Sequence, residues 1–412
     1  MGIIYSIGIG FYTLMIRVAS LFSKKAKDFV EGRSNWETSL QSWKDQTKKP
    51  VLWLHCASLG EYEMARPLIP YFKERGHDIL LSFYSPSGYN HYKDNPDVDQ
   101  VCYLPMDTKR NARRWLSILE PEAVVFVKYD FWFRLIAETA QRNIPLFLIN
   151  GIFRSDHVYF KPYGDWFLRR IAAFNHLFLI NESSAHLLDK KGFNNISVTG
   201  DLRYDRVSEI CNTAPSNAIL EAFKNDEKLV IGGSSWQPEE KILLAVSNFF
   251  PEQKILIAPH DISKDHIKEI RKLFKGRKIT TYSRAKNKDL SQYQVLIIDN
   301  VGMLSSAYQY ADIALIGGAF GKGLHNFLEA ATFGIPLYFG PNIKHFPEAL
   351  EMVKKGLAES ISHEDEFIRG VDRVRLGKAH DKAGQLAAFM KSKQGAAEAI
   401  RTQMEESGMW LR

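Results

Sequence analysis

Glu61 comes directly after His55-Cys56-Ala57-Ser58-Leu59-Gly60, which closes the apolar run Val51-Leu-Trp-Leu54. A carboxylate that opens a helix behind a strand and a glycine can take a proton from a hydroxyl brought to it. The plainer alternative is a helix cap held by the dipole. Lys128 and Asp130 set a cation and an anion two residues apart, past the apolar run Ala123 to Val127; a surface ion pair would explain them equally. Arg203, in Thr199-Gly200-Asp201-Leu202-Arg203-Tyr204-Asp205, can steady charge developing on a phosphate or simply pair with a neighbouring aspartate. The richest stretch is 316–341, IGGAFGKGLHNFLEAATFGIPLYFGP. Its glycines Gly317, Gly318, Gly321 and Gly323 flank a polar loop with Lys322 and His325, and they let backbone come close to a ligand or serve tight turns only. A helix start at Asn326 would offer free N–H groups to an anion. Glu329, in the first turn of that helix, could accept hydrogen bonds from paired hydroxyls. His325 is read as structural rather than as a proton carrier.

Such residues act only if held on a rigid frame, and the hydrophobic pattern supplies one. Short apolar runs alternate with helical segments: Val51–Leu54, Ile79–Phe83, Gln100–Tyr103, Ala123–Val127, Pro145–Ile149, Leu177–Ile180 and Ile196–Thr199. A composition shift at Cys211–Ser216 looks like a linker. The pattern then restarts with Leu229–Ile231, Ile255–Ile257, Val295–Ile298 and Ile313–Ile316. Strands alternating with helices at this spacing predict doubly wound parallel sheets. Ligands bind at the carboxyl ends of such strands, where every candidate above falls. Two such domains, tips facing, would enclose a cleft. The expected division is 1–27, 28–210 and 211–412, with the last helix able to pack back on the first domain.

A chain of 412 residues exceeds one ordinary core, and 45% hydrophobic with 25% charged residues describes a globular protein. The net charge of +7 suits anionic partners without choosing among them. Basic residues are scattered rather than clustered with aromatics, so no nucleic-acid partner is expected. Cys56, Cys102 and Cys211 are odd in number and widely spaced, which argues against a disulfide framework or a zinc site and favours a reducing compartment.

The first 22 residues, MGIIYSIGIGFYTLMIRVASLF, are apolar except for Arg17 and a few hydroxyls, and Lys24, Lys25 and Lys27 follow. A cleavable signal carries its charge before the apolar run, so secretion is not expected. The segment could span a bilayer at roughly 20 residues, lie in the interface, or form a core helix. In either membrane reading the lysines mark the cytoplasmic side.

Taken together, HCASLGEYEMARPLI, VTGDLRYD, APHD, DNVGML and GGAFGKGLHNFLEAATFGIPLYFGP resemble, in order and spacing, the 3-deoxy-D-manno-octulosonic acid (Kdo) transferases. The resemblance runs from the apolar N-terminus to about residue 350. It implies the GT-B fold, an α/β architecture of two Rossmann-like domains, and an inverting transfer of Kdo from CMP-Kdo to the lipid A precursor at the cytoplasmic face of the inner membrane. By that resemblance Glu61 is the catalytic base, and Asp130 and Arg203 steady the transition state. The donor would be held by Pro259 and His260, by Gly302, Met303 and Leu304, and by Asn326, Phe327, Leu328 and Glu329.

The sequence also departs from the family pattern. Pro259-His260 stands where Pro-Arg is usual, Lys128 and Asp130 stand where two glutamates are common, and Gly302-Met303-Leu304 replaces Gly-Glu-Leu. No cofactor and no metal are expected. There is no Asp-x-Asp pair, and a CMP-sugar with a single phosphate has less need of a divalent ion. The alternative is a GT-B relative with another role, such as a sugar-nucleotide epimerase or a non-catalytic lipid-surface protein. A soluble-substrate epimerase would have no use for residues 1–22.

Overall fold

The computed structural model describes residues 1–321, 323–378, 380–406 and 408, so Lys322 of the glycine loop lies outside the described residues. The chain forms two compact units, Met1–Arg206 with Gln394–Arg412, and Val207–Lys393.

The first unit carries β1 (Val51–Cys56), β2 (Asp78–Phe83), β3 (Gln100–Tyr103), β4 (Ala123–Val127), β5 (Leu146–Gly151), β6 (His176–Leu179) and β7 (Ile196–Val198). They make one parallel seven-stranded sheet in the order β3-β2-β1-β4-β5-β6-β7. Near-continuous apolar runs are what strands covered on both faces require. Alternation along β1 serves both faces: Val51 and Trp53 enter one core with Trp115, Phe126 and Phe133, while Leu52 and Leu54 enter the other with Phe72, Phe83 and Phe147. The helix Ala396–Glu406 completes that second core through Ala396, Ile400 and Met404, spaced four apart on one face. The chain leaves β1 outward to β3, then returns to β4 beside β1. That reversal is a topological switch point, with the loops after β1 and β4 meeting at it.

The second unit repeats the plan with β8 (Leu229–Ser235), β9 (Lys254–Pro259), β10 (Ile279–Thr281), β11 (Val295–Ile297), β12 (Ile313–Ile316), β13 (Leu337–Phe339) and β14 (Ala358–Ser360). Its parallel order is β10-β11-β9-β8-β12-β13-β14, which puts the switch point between β8 and β12. Local differences from the sequence reading have simple causes. The single helix expected over Tyr62–Arg75 is split into Leu59–Ala65, a tight turn at Arg66–Leu68, and Ile69–Glu74. Pro67 and Pro70 have no N–H to continue the ladder.

The N-terminal helix Gly2–Ala19 has a mean hydropathy of 1.5 and no fully buried residue. Gly2, Tyr5, Ile9, Thr13 and Ile16 are half-buried at helical spacing, and Tyr5 and Ile9 pack on the first unit's core. The opposite side leaves Ile3, Ile4, Ile7, Phe11, Leu14, Met15 and Val18 exposed. Polar ties fix this orientation. The Tyr5 hydroxyl donates to Asp107 (2.5 Å), and Arg134 donates to Ser6 (2.6 Å) and to the carbonyl of Gly2. Asp107 is only 1% exposed and also accepts the backbone N–H groups of Arg134 and Leu135. Tyr5→Phe removes one donor from a buried carboxylate and should cost about 1–3 kcal/mol. A melting temperature within about a degree of wild type would show that the tie contributes nothing.

Candidate functional site

The residues singled out from the sequence fall into two groups, one at the switch point of each unit. In the first unit, Glu61 sits in the opening turn of Leu59–Ala65, directly after β1, and is 8% exposed. Its Oε2 accepts the N–H of Ala57 at 2.5 Å, while Oε1 takes no hydrogen bond among the described residues. One oxygen is therefore fixed and the other open, which is the arrangement a general base needs. Burial and the neighbouring Asp130 raise the Glu61 pKa; the Ala57 N–H, His55 and Lys128 pull it back.

Asp130 follows β4, and its Oδ2 is gripped from two sides. His55 Nε2 lies 3.0 Å away and Trp132 Nε1 2.9 Å away. His55 is fully buried, and its Nδ1 lies 2.9 Å from Ser82 Oγ, which in turn accepts from Trp53 Nε1 at 2.8 Å. Trp53 can only donate, so assigning the Ser82 proton to His55 Nδ1 leaves His55 Nε2–H for Asp130, and every group is satisfied. This buried chain runs from β2 through β1 to the tip of β4 and holds Asp130 as a rigid acceptor.

Arg203 takes the bland partner foreseen for it. Its Nε and one Nη donate to Asp201 Oδ2 at 2.9 and 2.7 Å. Burial pushes Asp201 upward, but Arg203 outweighs it and leaves the carboxyl below its ordinary value. Asn150, at the end of β5, accepts the N–H of Leu202 at 2.8 Å and donates to Asp201 at 3.3 Å, pinning the start of the Arg203 helix.

In the second unit the tips of β8 and β12 are drawn together by Glu239. Its Oε2 accepts the N–H of Trp236 (3.0 Å) and its Oε1 that of Gly318 (2.9 Å). The approach is close enough to demand glycine: a Cβ on Gly317 would fall 2.0 Å from the carbonyl oxygen of Ser234, and Gly318 has φ 94°. Pro259 ends β9, and the rings of His260, Trp236 and His325 cluster, with His260 stacked against Trp236 (centroids 4.7 Å apart) and against His325 (4.3 Å). Trp236 Nε1 also donates to His325 Nε2 at 2.9 Å. Burial, with His260 alongside, lowers the His325 pKa.

The expected helix start at Asn326 needs correction. The helix is Leu328–Thr332, five residues capped by Phe327. Asn326 stays outside it because its side chain takes over the local bonding, accepting from Leu328 N–H (3.3 Å) and donating to Glu329 Oε1 (2.6 Å). Asn326 therefore does not open a helix that offers free N–H groups to an anion. Phe327 and Leu328 are 2% and 1% exposed, so their side chains are packed inside the unit. Glu329 Oε2 accepts from Ser305 at 2.7 Å. Ser305 lies in the helix Leu304–Ala307, capped by Met303 after Gly302 (φ 89°), so this contact brings the turn of Gly302, Met303 and Leu304 beside Glu329.

Residues 34–206, which contain Glu61, Asp130 and Arg203, match the model of the family described as 3-Deoxy-D-manno-octulosonic-acid transferase (kdotransferase). A 3-deoxy-D-manno-octulosonic acid transferase of Aquifex aeolicus is 25% identical over 357 residues, 83% of this chain and 91% of the relative. The chain is similar to the Kdo transferases, in its first unit by the family match and over most of its length by this relative. A bifunctional glycosyltransferase/methyltransferase of Fusobacterium nucleatum is 24% identical over 396 residues, and this chain spans 90% of itself but 60% of that relative's length. Among solved structures, a UDP-GlcNAc 2-epimerase from Neisseria meningitidis aligns with TM-score 0.59 at 13% identity, covering 87% of this chain and 100% of that one. The calicheamicin glycosyltransferase CalG4 aligns with TM-score 0.55 at 13% identity, covering 89% and 99%. Likeness at that identity shows the shared GT-B fold alone.

For this Kdo transferase relative, the sequence reading had missed the residues that hold the candidates in place. His55 carried a readable signal, because a histidine inside a strand of buried residues must find a polar partner. Ser82 and Asn150 carried none, since their partners lie far away in the chain, and Trp132 and Glu239 each combine a near partner (Asp130, Trp236) with a distant one (His55, Gly318) that the sequence does not show.

Proposed function

We propose that the chain transfers Kdo from CMP-Kdo to a lipid A precursor with inversion, at the cytoplasmic face of the inner membrane. The observation that carries this reading is Glu61, a buried carboxylate with one oxygen held and one open at a switch point, inside the segment that matches the Kdo transferases. Glu61 takes the proton of the acceptor hydroxyl as that oxygen bonds to the anomeric carbon. The bond from that carbon to the CMP phosphate oxygen breaks, and CMP leaves with the electron pair. Asp130 and Arg203 stabilise the charge that develops. Pro259, His260, Gly302, Met303, Leu304 and the segment Asn326–Glu329 hold the donor.

The N-terminal helix lies along the membrane interface rather than across it. One of its sides is occupied by the protein over most of its length, which leaves only the opposite apolar face for lipid. Lys24, Lys25 and Lys27 then meet anionic headgroups on the cytoplasmic side.

Incubating purified protein with CMP-Kdo and lipid IVA, and weighing the lipid by mass spectrometry, tests the activity directly. A mass increase by one or more Kdo residues is expected; unchanged lipid overturns the proposal. EDTA should leave turnover unchanged, because none of the steps above calls on a divalent ion. Activity lost to EDTA and restored by magnesium would refute that mechanism.

A further inference from the structure

Lys128 stands at the tip of β4, two residues before Asp130. Its backbone N–H still donates to the carbonyl of Ile149 (2.9 Å), yet its φ is 69°. Left-handed backbone is uncommon for a long side chain, and glycine or asparagine would adopt it with less strain. Such conformations persist where the surroundings impose them, and they gather at ligand sites.

The ammonium is half-buried and makes no hydrogen bond or ion pair among the described residues. Its one recorded neighbour contact is the ring of Tyr129, whose centroid is 5.3 Å away. The charged groups facing it are Arg203, Glu61, Asp201 and Arg154. Burial and then Arg203 lower its pKa, against the pull of Glu61 and Asp201. Neither carboxylate serves it as a partner: Asp201 is held by Arg203, and the bonded oxygen of Glu61 by Ala57. A partly desolvated ammonium with a ring beside it but no hydrogen-bond or ion-pair partner is costly, and an incoming anion relieves the cost.

We propose that Lys128 is an anion-binding residue of the first unit, taking a carboxylate or phosphate oxygen of the substrate presented beside Glu61. The inference rests on the reading of Glu61 as the base. Two sources share this chemistry. Kdo is an ulosonic acid, so its carboxylate adjoins the carbon under attack, and the lipid acceptor can carry phosphate. A glutamate at this position could serve neither.

Lys128→Asn removes the charge with a residue suited to the left-handed backbone, and Lys128→Arg keeps the charge. A lost charge-assisted hydrogen bond corresponds to about 10- to 100-fold in affinity. The asparagine variant should raise one KM by that factor, the arginine variant should restore most of it, and the melting temperature should hold. A higher KM for CMP-Kdo assigns the carboxylate. A higher KM for phosphorylated acceptor, absent with dephosphorylated acceptor, assigns the phosphate. Inhibition by CMP, which carries neither the Kdo carboxylate nor the acceptor's phosphate and whose own phosphate falls to the proposed donor contacts of the second unit, should not change. Both KM values unchanged would overturn the proposal. So would a fall in kcat alone with the acid limb of the pH profile moved upward, which would mean that Lys128 only keeps Glu61 ionised. If the wild type does not turn over CMP-Kdo, the functional reading fails, and calorimetric titration with free Kdo and with inorganic phosphate decides the Lys128 question separately. Tenfold or greater weakening of either ligand in Lys128→Asn upholds the anion site, and equal affinities, or no binding by wild type, reject it.

Discussion

Glu61→Gln should lower turnover by about 10²- to 10⁴-fold, the usual worth of a general base. Glutamine keeps the size and can still accept the Ala57 N–H through its carbonyl oxygen, so the local fold is preserved. What it loses is the basic lone pair on the open oxygen. CMP affinity should not move, because the proposed nucleotide contacts belong to the other unit. The plain alternative, a helix cap, predicts something different: losing a charge near a helix N-terminus costs about 0.3–1 kcal/mol of stability and little turnover. Near wild-type turnover in this variant would therefore end the catalytic assignment. The pH profile adds a second handle. A base works ionised, and burial with Asp130 raises the folded pKa of Glu61. In the wild type kcat/KM should climb with pH through a value above the ordinary carboxylate range and flatten above it, and Glu61→Gln should abolish that limb.

Much of this was legible in the chain before any coordinates, for a physical reason. Parallel strands buried on both faces read as unbroken apolar runs, so β1, β4, β8 and β12 announce themselves, and each loop after such a run is a strand tip. Placing Glu61, Asp130 and His260 at tips needed only that local pattern. What holds them did not come from it. Asp130 owes its rigidity to His55 and Ser82 on neighbouring strands, 75 and 48 positions away in the chain, and pairing across strands is set by topology rather than by spacing. The helix expected at Asn326 failed for a different reason. Asn326 has a side chain that competes with backbone for the local N–H, and a five-residue helix has little propensity of its own to resist it. Arg203 shows the limit of reading one residue at a time: the neighbouring Asp201, visible in the sequence, binds it through two nitrogens.

Replacing Ile7, Phe11 and Leu14 together with glutamate should release the protein from lipid vesicles by more than about 10²-fold. These side chains are 66%, 64% and 58% exposed and share one face of the N-terminal helix, opposite the docked Tyr5 and Ile9. Full burial of a large apolar side chain yields about 1.5–3 kcal/mol. Even half-immersion of three of them amounts to several kcal/mol, and each 1.4 kcal/mol is about a factor of ten. The triple variant leaves the Tyr5–Asp107 and Arg134–Ser6 ties intact, and glutamate is a good helix former. Folding and turnover of a detergent-dispersed acceptor should persist, which a deletion of residues 1–22 could not guarantee because it would uncover Phe133 and Trp166, the ring neighbours of Tyr5. Alkaline carbonate extraction separates the two membrane arrangements in the wild type. A helix lying in the interface should be stripped from the bilayer, whereas one crossing it stays in the pellet. Retention after carbonate, or undiminished vesicle binding by the triple variant, would reject the interfacial reading.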